Sequence, residues 1–168
     1  MRKTLIAILM ALALVVIPVG SAFAQDEDTV TVSATPAYVS IDNNPDTDSF
    51  GVVTEGSTPN LSGGETNFTI TNSSSVAIDI TIKCSGWDGG ANDWLYGAPG
   101  TDQARLMASD GSGGYDIAVP VDPAIAALHS DVPVATNPQW GLQLQAPTDM
   151  TFGNVQSTTI TLNATYSP

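Results

Sequence analysis

The sequence predicts an all-β protein, a single antiparallel β-sandwich of about 7–9 short strands. Three observations predict it. From Val76 to Cys84 the chain alternates strictly: Val76, Ile78, Ile80, Ile82 and Cys84 take one parity, and Ala77, Asp79, Thr81 and Lys83 take the other. Period two with β-branched residues is the pattern of a half-buried strand. Shorter runs of the same kind recur along the chain, separated by Gly- and Pro-rich breaks. Helical periodicity is nearly absent. A closed barrel is the alternative architecture.

The elements follow in order. Val30 and Val32 begin a first strand, which Pro36 interrupts and Val39 and Ile41 resume. Phe68 and Ile70 mark a second strand. Asn72-Ser73-Ser74-Ser75 is a turn whose side chains bond locally to backbone, and it leads into the strand at Val76. Leu106 to Ala108 follows, then Tyr115, Ile117 and Val119. Trp140, Leu142 and Leu144 alternate with Gly141, Gln143 and Gln145. Thr158, Ile160, Leu162, Ala164 and Tyr166 form the last strand. Residues 56–64, 86–100, 111–114 and 146–153 are the breaks. Only Pro123 to His129 has a helical flavour, with Pro at a first helical position.

The front of the chain reads as a secretory signal. Arg2 and Lys3 form a basic start, Leu5 to Val19 is apolar and uncharged, and Ala22-Phe23-Ala24 supplies the small residues a signal peptidase accepts. The expected domains are a leader over residues 1–24 and a sandwich over residues 25–168. The apolar run is short for a membrane span, so no stable span is expected after cleavage. The protein is expected to be secreted, or held at the cell surface.

All 17 acidic residues of the 168-residue chain lie beyond the leader. Only Lys83 and Arg105 of the four basic residues do, so losing Arg2 and Lys3 takes the net charge from −13 to −15. Such a surface repels nucleic acid and anionic lipid. Cys84 is the only cysteine, which excludes an intramolecular disulfide. Its parity with the isoleucines makes it a small core residue.

The stretch Asn67 to Ile82, NFTITNSSSVAIDITI, resembles the paired B and C strands of immunoglobulin-like surface domains of secreted prokaryotic proteins. The camelysin-like family of biofilm-fibre proteins and the wall-associated WxL-type domains carry such a phrase. Trp140-Gly141-Leu142 is similar to the W-x-L triplet of the latter. A second triplet, expected in a WxL domain, is supplied neither by Trp87-Asp88-Gly89 nor by Trp94-Leu95-Tyr96. The resemblance implies an immunoglobulin-like sandwich of a surface or matrix, without catalytic residues.

Two stretches are candidate sites. Asp42, Asn44, Asp46 and Asp48 stand at every second position, and calcium takes six to eight hard oxygens. This is no EF-hand, because Thr47 occupies the turn-glycine position and Val53 that of the bidentate Glu. Asp110 to Asp116 is a second, Gly-rich acidic loop. The other candidate is aromatic: Trp87, Trp94 and Tyr96 beside Asp88, Asn92 and Asp93, with Trp140 able to join them. Exposed rings of this kind stack on sugars, so a surface polysaccharide is one expected partner. The other reading is that Trp87 and Trp94 plug the open end of the sandwich.

No G-x-S-x-G, H-E-x-x-H or His/Cys cluster exists, and His129 is the lone histidine. The chain is therefore read as a non-enzymatic structural protein, with a carbohydrate-binding module as the alternative. Thr29 to Ile41 is the candidate strand for self-association by strand addition, the alternative being that it is the first strand of a closed monomer.

Overall fold

The computed structural model describes residues 31–168. The expected leader lies outside the described residues, as do Thr29 and Val30. The chain divides into residues 1–35 and Pro36–Pro168. In the first unit, residues 31–35 form no helix or strand, and Val32 is 88% exposed.

The second unit is an all-β sandwich of two packed sheets. Its strands are β1 (Ile41–Asn44), β2 (Phe68–Asn72), β3 (Ile78–Cys84), β4 (Leu95–Tyr96), β5 (Gln103–Ser109), β6 (Ile117–Ala118), β7 (Ala126–Val132), β8 (Gln139–Gln145) and β9 (Ile160–Tyr166). The larger sheet runs β1-β2-β8-β5-β4, with β6 also paired to β5. The smaller runs β7-β3-β9. Every pairing is antiparallel except that of β4 with β5.

β3 is the centre of the smaller sheet, and its strict alternation turns one face into the core. Ile78, Ile80, Ile82 and Cys84 all point between the sheets and are buried. Facing them are Phe68 and Ile70 of β2, Trp140, Leu142 and Leu144 of β8, and Leu106 of β5. Phe68 and Trp140 are cross-strand partners, and their rings stack with centroids 4.4 Å apart.

Asn72 explains the turn after β2. It is buried; its Nδ2 donates to the carbonyls of Val132 and Pro133, at 3.2 and 2.9 Å. Its Oδ1 accepts from Ser74 N–H at 2.9 Å. The turn is thus a corner through which the chain changes sheets. β2 and β3 therefore do not pair with each other, contrary to the pairing expected within Asn67–Ile82.

Three further expectations are corrected. The first strand forms only over Ile41–Asn44; residues 31–40 are in no strand. Residues 36–40 instead run beside the corner, where Ser75 N–H donates to the Tyr38 carbonyl and Ser73 N–H to that of Ser40. Pro123–His129 is not helical: Ala126–Val132 is β7, because pairing with β3 and burial of Leu128 and Val132 outweigh the alanines' local preference. The aromatic loop contains β4, too short to announce itself by alternation.

Candidate functional site

The sugar-platform residues are mostly inside. Trp140 is 2% and Trp94 8% exposed. Trp140 Nε1 donates to Asn43 Oδ1 at 2.9 Å, tying the edge strand β1 to β8. Trp87 and Tyr96 are half-buried. Trp87 meets Trp94 edge-on, with centroids 5.5 Å apart, and lies over Tyr96 at 6.5 Å. Its Nε1 donates to the Ala104 carbonyl at 3.3 Å. The Tyr96 hydroxyl donates to the Val119 carbonyl and accepts from Leu106 N–H at 3.0 Å. Burial pushes that phenol's pKa well up, so it stays neutral. Trp87, Trp94 and Tyr96 thus cluster against the sandwich interior, while Trp140 stacks on Phe68 apart from them, and together they make no exposed coplanar face.

The acidic stretch does not converge. Asp42 and Asn44 lie on the exposed face of β1, because the period of a strand sends alternate residues outward. Asp46 and Asp48 belong to the loop that follows. Asp48 is already engaged: Oδ2 accepts from Asn67 Nδ2 at 2.7 Å and Oδ1 from Ser49 N–H at 2.7 Å. Among the described residues, no group of three or more His, Cys, Asp or Glu side chains is placed to hold a metal ion. In the second acidic loop, Asp110 accepts from the Ser112 hydroxyl and N–H at 2.5 and 2.9 Å, which holds its carboxyl below the usual range. Asp116 is exposed.

His129 is half-buried on β7, and its Nε2 is buried with no hydrogen-bond partner. Burial lowers its pKa, while the charge of Asp110 acts the other way.

What the sandwich does present is an opening. Along β9 the core runs out. Ile160, Leu162 and Ala164 stand opposite Cys84, Ile82 and Ile80 and point between the sheets, yet each is only half-buried. Beside them a groove of about 1020 Å³ lies between β9 and β1, lined by Phe50, Phe68, Trp94, Trp140, Phe152 and Leu162 among others. Val52 and Val155, which also line it, are 97% and 89% exposed. Within the groove wall Trp94 Nε1 is buried without an acceptor.

The outer edge of β9 is also unpaired among the described residues, where its one strand partner is β3. The bonds at its two ends fix which groups face outward. Ser85 N–H donates to the Thr159 carbonyl and Ser167 N–H to that of Ala77, both toward the β3 side. Alternation then leaves the N–H and C=O of Ile160, Leu162, Ala164 and Tyr166 on the free edge. Alternation marks this strand in the sequence but not its exposure, since it reports which face is apolar and not which edge is covered.

No family model, curated protein or solved structure matches this chain. Among the described residues, no helix is long and apolar enough to cross a membrane.

Proposed function

We propose that this chain is a secreted, non-enzymatic structural protein, a subunit of an extracellular layer, matrix or fibre that self-associates through exposed sheet edge. One observation carries the reading. The tryptophans are turned inward, while a strand edge and the apolar groove beside it stay open. A carbohydrate-binding module instead needs its rings exposed in one plane. An open edge with half-buried core residues is the feature that natural sandwiches avoid unless something pairs with it. The immunoglobulin-like surface resemblance of Asn67–Ile82 agrees with this role. So does the acidity, which keeps secreted subunits apart until a specific contact forms.

The test is sedimentation velocity and negative-stain microscopy of residues 25–168 across a concentration series. Concentration-dependent assembly supports the reading. A chain that stays monomeric at high concentration, with and without calcium, and pulls down on an insoluble polysaccharide, contradicts it.

A further inference from the structure

The smaller sheet has two outer edges, and they differ. On β7 the register against β3 shifts twice, between Ile78 and Ile80 and between Ile80 and Thr81. Asp131 there adopts a left-handed backbone (φ 51°), with its N–H held by Asp79 Oδ1 at 2.8 Å. Bulges and charges are how proteins blunt an edge against a second chain. On β9 none of these devices is present. Ile160–Tyr166 is regular over its whole length against β3. The segment ITLNATY holds no charge and no proline, in a chain with 17 acids.

We infer that β9 pairs antiparallel with β9 of a second copy, joining the two small sheets into one. This deepens the self-association reading above and rests on it. The strand is self-complementary when centred on Asn163. Ile160 then opposes Tyr166, Leu162 opposes Ala164, and Thr161 opposes Thr165. The edge-facing groups of Ile160, Leu162, Ala164 and Tyr166 all find partners, since each is matched to another of the four. On the inner face a large side chain meets a small one, Leu162 against Ala164; on the outer face the pairs are Thr–Thr and Asn–Asn.

Charge favours this occupant over the other strand the chain offers. A Thr29–Ala34 strand from a second copy follows Asp26-Glu27-Asp28 and would bring those acids onto a groove lined by Asp46 and Asp48. β9 brings none. The paired edge is isologous and closes at two copies, so growth beyond a dimer uses a second surface.

The experiment is cross-linking of residues 25–168. Asn163 is exposed, and in the proposed register it meets its own copy at a non-hydrogen-bonded position, where Cα atoms lie about 4.5 Å apart, within disulfide range. Asn163→Cys is expected to oxidise to a covalent dimer many-fold faster than Ser130→Cys on the β7 edge. Asn163→Lys, which opposes two like charges, is expected to raise the dimer dissociation constant at least tenfold while leaving the melting temperature of dilute protein unchanged. If the chain assembles, yet Asn163→Cys cross-links no faster than Ser130→Cys and Asn163→Lys assembles normally, the proposal is overturned and the self-association reading stands. If removing residues 25–35 then abolishes assembly, the leading segment is the occupant instead. A wild type monomeric at every concentration overturns both.

Discussion

Ile82 and Leu162 are cross-strand partners on the inner face of the small sheet, and Ile82 is wholly buried while Leu162 is half-buried. One residue pair thus marks where the core ends. Ile82→Ala removes methylenes from a closed environment and is expected to cost about 2–5 kcal/mol. Leu162→Ala removes as much side chain from a half-open one, and is expected to cost about 1–2 kcal/mol in the monomer. Urea titration at low protein concentration measures both. Equal costs would mean that β9 is as enclosed as β3.

Gly141 is held free of a side chain by backbone, not by a turn. A Cβ there would lie 2.2 Å from the Gly64 carbonyl oxygen and 2.7 Å from Glu65 Cα, because the 3₁₀ turn Gly64–Thr66 lies over β8. Backbone cannot swing aside as a side chain can. Gly141→Ala is expected to destabilise by about 1–3 kcal/mol. Gly153→Ala, with open space around it, should stay within about 0.5 kcal/mol of wild type. Thermal melting of the two variants side by side checks the contrast.

Cys84 ends β3 inside the core and is 1% exposed. A thiol reagent should modify it slowly in the native protein and rapidly after unfolding. Cys84→Ser is expected to cost about 1–3 kcal/mol, because a hydroxyl there needs a partner. Rapid labelling under native conditions would show that β3 is not the closed strand described.

His129 makes stability depend on pH. Burial holds its folded pKa below the unfolded value of about 6.5. The unfolded chain therefore takes up the proton first. This contribution to stability is complete above about pH 6.5 and is lost as pH falls from there toward the folded value. The expected result is a melting temperature that drops between about pH 7 and pH 5 in wild type, with a shallower slope in His129→Gln. Parallel slopes would mean that His129 is solvated in the folded protein.

Much of the fold was legible in the sequence, and the legible part follows a physical rule. β2, β3, β8 and β9 could be read because each sets one apolar face against one polar face, as Val76 to Cys84 does most plainly. β7 escaped because Ala126-Ala127-Leu128 carries no alternation, and its strand state comes from pairing with β3. β4 escaped because two residues hold no period. Asp42 to Asp48 suggested a ligand loop because acids at every second position look the same on a strand, where alternate residues leave on one face. Trp87 and Trp94 fit either a plug or a sugar platform in the sequence, because residue type does not tell which way a ring turns; Trp94 lies buried and Trp87 half-buried. The open edge was not legible at all, since covering an edge is a property of topology.

In the proposed dimer the edge of β9, open in the single chain, is covered by a second copy. Amide hydrogen exchange resolved to Ile160, Leu162, Ala164 and Tyr166 tests it most directly. In dilute protein these N–H groups should exchange rapidly, while those of Thr161, Asn163 and Thr165, bonded to β3, exchange slowly. As concentration rises the four edge amides should become protected together. Fast exchange of those amides at every concentration, in protein that sediments as an assembly, would contradict the claim.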